Sequence, residues 1–192
     1  YNCSSLTSVT IPNSVTTIGE SAFYECRSLT SVTIPNGVTS IGDNAFYYCS
    51  RLTSINIPEG VTTIGESAFR GCSRLTSVTI PYGVTEIARY TFEYCSALTS
   101  VTIPNSVTSI EQDAFDRCSS LTSITIPESV TQIVGWAFRN CTSLTSVYCP
   151  SSIPPTLGSQ AFNNVGEGFQ IYVPANSVEV YKSASGWSAY ES

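Results

Sequence analysis

The sequence predicts a repeat solenoid: short rungs stacked along one axis and closed at the C-terminal end by a different kind of segment. Three observations predict it. Independent residue columns recur every 23 residues through most of the 192-residue chain. Each unit breaks into three pieces too short to stand alone. The pattern then degrades toward the C-terminus. Leu6, Leu29, Leu52, Leu75, Leu98, Leu121 and Leu144 share one register, and Pro12 through Pro150 repeat on the same step. Ile18 to Ile133, Phe23 to Phe138 and Cys3 to Cys141 form further columns. Self-similarity at one fixed period is the signature of stacked units.

The first piece of a unit is LTSVTIP, as at 29–35. Val32 and Ile34 alternate with Ser31 and Thr33, the period of a strand. Pro35 cannot donate to a ladder and ends it. The second piece, 38–41, is again β-branched and extended. The third, 42–49, places Ala45, Phe46 and Cys49 where one helical or 3₁₀ turn would bring them to one side. About eight positions per rung point inward: Leu29, Val32, Ile34, Val38, Ile41, Ala45, Phe46 and Cys49. A single rung cannot offset the entropy of ordering its backbone, so stability must come from contacts between neighbours.

Residues 1–5 match the tail of a unit, and a processed or truncated start is the simplest account of them. Six full units follow at 6–143. A degenerate seventh runs over 144–168, with Cys149 in place of the strand Ile, Pro154-Pro155 interrupting the second piece and Phe162 one residue late. The segment 169–192 supplies a last strand, IYVP, then an amphipathic stretch with Val178, Tyr181 and Trp187; Glu179, Lys182 and Glu191 give it a polar outer side.

The pattern LTSVTIPxxVTxIGxxAFxxC, repeated at 23 residues, resembles the BspA-like leucine-rich repeats, and the terminal IYVP…VEVYK…GW resembles the segment that closes them. The resemblance covers essentially the whole chain and departs from the pattern at Ala88, Glu111 and Val134, which stand at the Gly position. It implies an α/β leucine-rich-repeat solenoid, right-handed, with a parallel sheet on one side, short strands and 3₁₀ or helical turns on the other, and a C-terminal cap. It also implies an extracellular or cell-surface protein, bacterial in most members, some of which are adhesins for host matrix or plasma proteins. No ligand motif is carried over with it.

Composition narrows the chemistry. Charged residues make up 11% of the chain and the net charge is -6, so there is no basic footprint for nucleic acid and no basis for membrane insertion. His is absent, which removes the commonest general base and metal ligand. No phosphate loop or dinucleotide fingerprint occurs, so no cofactor is expected. The abundant serines lack a histidine to activate them. Asp113 and Asp116 could pair as carboxylates, but on an outward turn without a cleft. Together these readings make the chain a non-enzyme.

Cysteines 23 apart belong on adjacent rungs with parallel side chains. Their spacing of about 4.8 Å exceeds what a disulfide takes, and a column of buried thiols follows. Cys149, outside that column and near Cys141, leaves a bridge open. Zinc has no CxxC pair or His to hold it. Glu20, Asp43 and Glu66 stack in one column, where a bound Ca²⁺ competes with carboxylates simply splaying apart.

Two faces could carry a ligand. On the strand face, Ser8, Thr10 and Pro12 and their equivalents point outward as a hydroxyl ladder, suited to a pleated surface or to ordering water. Asn56 and Tyr148 interrupt its Thr column, and Glu59, Tyr82 and Glu128 interrupt the Asn column of Asn13, Asn36 and Asn105. Irregularity centred on Tyr82 marks a broad protein-binding face. On the opposite side the outward residues vary freely, and Tyr90, Tyr94 and Trp136 form the rival aromatic patch. The expected function is therefore a recognition module of adhesin type that binds a protein, with a passive spacer or assembly element as the alternative. End-to-end association through the first rung is a further expected contact.

Overall fold

Alternating β-branched and hydroxyl residues form three-residue strands, and the computed structural model, which describes residues 2–190, pairs strands of neighbouring rungs in parallel as a series of short sheets. These are β1 (Ser8–Thr10), β3 (Ser31–Thr33), β6 (Ser77–Thr79), β8 (Ser100–Thr102), β10 (Ser123–Thr125), β12 (Ser146–Tyr148) and β14 (Gln170–Tyr172). The second piece of each unit gives two-residue strands: β2 (Thr17–Ile18), β4 (Ser40–Ile41), β5 (Thr63–Ile64), β7 (Glu86–Ile87), β9 (Ser109–Ile110), β11 (Gln132–Ile133) and β13 (Thr156–Leu157). Register follows the repeat: Val9 faces Val32, Ile41 faces Ile64 and Val78 faces Val101. After the Pro154-Pro155 interruption it lengthens by one, so that Ser146 faces Gln170 and Gln132 faces Thr156. In the third rung Ile55-Asn56-Ile57 replaces the usual segment, and only an isolated bridge from Thr33 to Asn56 remains.

Threonine does more than suit a pleat. Thr30 donates both its amide (3.0 Å) and its hydroxyl (3.1 Å) to the Thr7 carbonyl, and Thr99 does the same to Thr76. A carbonyl has two lone pairs, and at these steps, as at Thr76 and Thr145, the threonine uses both to tie its rung to the previous one.

The third piece differs from the single helical turn expected. Its amides alternate in direction. Ala22, Tyr24 and Cys26 close local bonds to residues three earlier, as a 3₁₀ turn would, while Ser21, Phe23 and Glu25 donate to Asp43, Ala45 and Tyr47 of the next rung. That alternation puts two residues of each rung in the left-handed region, for example Asn44 (φ 55°) with Tyr48 (φ 50°) and Tyr90 (φ 59°) with Tyr94 (φ 62°). Each such non-glycine residue costs about 1–2 kcal/mol; the gain is an inter-rung hydrogen bond at every second residue. Pro12 is exposed at the first rung, but Pro35, Pro58, Pro81 and Pro127 are buried, correcting the expectation that the proline column faces outward.

Inside, the columns stack as a continuous spine. Leu29 to Leu144 are fully buried. Phe23, Phe46, Phe69, Phe92, Phe115, Phe138 and Phe162 lie ring over ring at 5.1–5.6 Å. Beside them runs the cysteine column. Cys49, Cys72, Cys95, Cys118 and Cys141 each donate Sγ–H to the carbonyl of the Phe 26 residues earlier, at 3.2 Å. All eight cysteines are unbridged, Cys149 included. Burial pushes the Cys49 and Cys149 thiols up to about 12 and those of Cys72, Cys95, Cys118 and Cys141 upward as well, so they stay neutral.

The C-terminal segment covers the last rung. Helix α1 (Val178–Ser183) brings in Tyr181, and Trp187 follows; both are buried. Tyr181 donates to the Ser151 carbonyl (3.1 Å) and Trp187 Nε1 to the Pro155 carbonyl (2.8 Å). Phe169, Trp187 and Tyr190 pack against Phe162 and end the ring stack. Glu179 and Lys182 are exposed on the outer side; Glu191 lies outside the described residues.

Candidate functional site

The turn pieces lie side by side, so residues at one repeat position form a row along the solenoid. One row reads Tyr24, Tyr47, Arg70, Glu93, Asp116, Arg139; the next reads Glu25, Tyr48, Gly71, Tyr94, Arg117, Asn140, the last step of each continuing to Asn163 and Asn164. The Tyr24 and Tyr47 rings stack at 4.7 Å, and Tyr47 packs on Tyr48 at 4.8 Å. Beyond them rings and guanidinium groups alternate. Arg70 sits over Tyr47, Tyr90 and Tyr94 at 5.3–5.8 Å, Arg117 over Tyr94 at 5.1 Å and Arg139 over Trp136 at 5.2 Å. Tyr90, Tyr94 and Trp136 are thus half-buried members of one belt, held by cation–π contacts rather than by touching one another. Trp136 Nε1 also donates to Gln160 (2.9 Å).

Beneath the belt lies a buried acidic cluster. Asp113 and Asp116 are only 4% and 0% exposed, which corrects their placement on an outward turn. Arg139 holds both: Nη2 reaches Asp113 at 3.2 Å and Asp116 at 2.9 Å, and Nε reaches Asp116 at 3.2 Å. Asn140 donates to Asp116 (3.0 Å) and Gln112 to Asp113 (3.0 Å). Hydrogen bonding to Asp116 holds the Arg139 guanidinium above its ordinary pKa. Each carboxylate thus accepts from both Arg139 and a neighbouring side-chain amide.

Glu93 is the exception. It is buried 2.7 Å from Arg70 Nε, yet the N–H is not aligned and neither atom completes a hydrogen bond. Burial pushes its carboxyl from 4.5 up to about 7; Arg70 opposes this, and Asp116 and Asp113 add to it. The folded chain therefore keeps a proton that the unfolded chain loses near pH 4.5. Stability falls as pH rises from about 4.5 to 7, by up to about 3 kcal/mol. Glu93→Gln removes that slope. Thermal melts at pH 5 and pH 8 should show wild type losing ground to the variant as pH rises; parallel behaviour would show that Glu93 is ionised throughout.

A groove of about 630 Å³ runs along the belt, lined by Arg27, Tyr48, Tyr94, Arg117, Asn140 and Asn164 and floored by the row Ser50, Ser73, Ser96, Ser119 and Thr142. Gly71 (φ +73°) admits the Tyr48 ring: a Cβ there would stand 2.8 Å from ring carbons. Sequence reading found Tyr94 but missed this groove, Arg70 and the buried acids. The available signal was charge of opposite sign on adjacent rungs, in the row Arg70, Glu93, Asp116, Arg139.

On the strand face the other candidates spread over several rungs, with Glu59 and Tyr82 on neighbouring ones. Tyr82 is 69% exposed. Asn56 and Glu59 line a separate cavity of about 280 Å³ with Asn36 and Pro58, while Glu128 is exposed two rungs beyond Tyr82. Tyr148, 44% exposed, stacks on Tyr172 at 4.8 Å near the C-terminal end. Asp43, in the acidic column considered for Ca²⁺, accepts the Glu66 amide at 2.8 Å. No group of three or more His, Cys, Asp or Glu among the described residues is arranged to hold a metal ion.

Comparison with known proteins places this geometry. The family described as BspA type leucine rich repeat region matches residues 1–122 and 85–185, in six copies. No curated protein sequence matches. Among solved structures, a leucine-rich repeat protein of T. pallidum is 31% identical with a TM-score of 0.69, over 75% of this chain and 67% of that one. One from Eubacterium ventriosum is 30% identical (TM-score 0.75, 88% of this chain, 45% of the other), and one from Bacteroides ovatus is 26% identical (TM-score 0.65, 90% and 56%). The chain thus spans about half the length of the latter two. With the family's repeat matched across most of its length, the chain belongs to the BspA-type leucine-rich repeat family.

Proposed function

We propose that this chain is a non-catalytic recognition module of a bacterial surface or secreted protein, and that it holds a protein ligand along its turn-face groove. The composition of that groove carries the reading. Its lining consists of Tyr, Arg, Asn, Ser, Thr and Gly alone, the residue set with which antibody paratopes bind proteins. Arginine and tyrosine are also the side chains that dominate interface energetics. Backbone cost points the same way. Tyr48, Tyr90, Tyr94 and Trp136 all occupy left-handed positions, where Asn44, Gly71, Asn140 and Asn164 show the cheaper choice in the same two rows. Folding alone does not call for rings there. Solved relatives are bacterial proteins, and adhesion to host matrix or plasma proteins is the use this surface suits. No helix among the described residues is long and apolar enough to cross a membrane.

The test is binding to immobilised matrix and plasma proteins, read by surface plasmon resonance. Saturable binding weakened at least about tenfold by Tyr94→Ala, the loss of one interface anchor, and unchanged by Tyr82→Ala is the expected outcome. The reverse pattern would move the site to the strand face. Absence of saturable binding to any surface component would leave the spacer role.

A further inference from the structure

We infer that the groove takes an extended acidic segment of the partner protein, lying along the solenoid axis; this rests on the recognition role proposed above and names the chemistry of the ligand. The chain is acidic overall, at -6, yet no carboxylate lines the groove, and two of its eight basic residues, Arg27 and Arg117, do. Two more, Arg51 and Arg74, follow the floor residues Ser50 and Ser73 in the chain; both are exposed, and neither makes an ion pair among the described residues. Arg27 shares its charge with Glu25 at 2.9 Å. Arg117 stands 3.7 Å from Asp116 with half its side chain exposed, already desolvated on one side by the Tyr94 ring. Arginine in this setting recognises a carboxylate through paired N–H donors.

The floor offers a peptide backbone a row of hydroxyl oxygens about 4.8 Å apart. Ser73, Ser96 and Ser119 each donate their hydroxyl to the carbonyl of the preceding floor serine, over long contacts of 3.3–3.4 Å. With the proton engaged along the row, each hydroxyl oxygen keeps lone pairs as acceptors for N–H donors. From Arg27 to Thr142 the row crosses six rungs, roughly 24 Å at strand spacing, which is the length of about seven extended residues. A polysaccharide fits less well. Sugars stack on open ring faces, whereas Tyr94 lies against the guanidinium groups of Arg70 and Arg117, and Tyr48 lies against Gly71 and Arg27.

The experiment titrates the whole chain with a fluorescent dodecapeptide alternating Glu with Ser, its Gln and Lys counterparts, and heparin and hyaluronan as anionic polysaccharides. Saturable binding of the Glu peptide is expected, weakening steeply with salt, with the Gln and Lys peptides at least about tenfold weaker. Arg117→Gln and Arg74→Gln should each weaken it several-fold, and together more, with the folded circular dichroism spectrum retained. Binding of the polysaccharides but not the Glu peptide would overturn the inference, as would a Glu-peptide affinity indifferent to both arginine variants. If a matrix protein binds in a manner sensitive to Tyr94→Ala but not to the arginine variants, recognition by the groove stands and the acidic ligand falls. If neither set of variants affects that binding, both fall.

Discussion

Phe92→Ala is expected to cost about 3–5 kcal/mol, the range for deleting a fully buried aromatic ring, and to split the unfolding of the chain. Phe92 is completely buried between Phe69 at 5.6 Å and Phe115 at 5.4 Å, the three rings nearly parallel. No side chain from outside the stack can close the gap, because the flanking rungs are fixed by hydrogen bonds on both sides: Phe69 donates its amide to Thr91, and Phe92 to Ala114. In a solenoid, cooperativity is carried by nearest-neighbour interfaces. Weakening the middle one should uncouple the rungs before it from those after it. Urea denaturation followed by circular dichroism should broaden or resolve into two transitions, and hydrogen exchange should show the two halves opening separately. Phe23→Ala, at a half-buried ring with one stacked neighbour, should cost less. A single sharp transition with a loss below about 1 kcal/mol, far under the usual cost of a deleted core ring, would mean that the spine is not what couples the rungs.

Arg139→Gln should be comparably damaging, at about 3–5 kcal/mol, for an electrostatic reason. Removing one partner of a buried ionic set leaves charge without compensation. Among the described residues, Asp113 and Asp116 would keep the Gln112 and Asn140 amides and the more distant Arg117. The contrast is the triple variant Asp113→Asn, Asp116→Asn, Arg139→Gln, which removes all three charges while keeping their shapes. It should recover most of the loss, because a buried ion pair and a neutral replacement of similar volume differ little. Denaturation midpoints of the two variants decide it. Equal losses would show that Arg139 acts through packing over Trp136 alone.

The groove and the acidic cluster were partly hidden from the sequence for the same reason. A periodic hydrophobic column has only one way to be buried, so Leu98, Phe92 and Cys95 announce the core directly. Polar columns carry no such rule. Asp113 looks solvent-facing on its own; only the packing of its rung against the next shows that Arg139 reaches across to cover it. Tyr94 was legible as an irregularity in a variable row, whereas Ser73 and Ser96 look like filler until the turns align them as a floor. The alternating amide directions of the turn piece were equally invisible, since left-handed residues such as Tyr48 and Trp136 are poor advertisements for that conformation.

Period, rung-to-rung register and spine were settled by the chain's own columns, because side chains that repeat at one spacing must stack at one spacing. Which polar groups are buried, where the groove runs and which arginines remain available to a ligand were decided only by tertiary structure. These depend on how neighbouring rungs share space at the turns, and one-dimensional spacing does not encode that geometry.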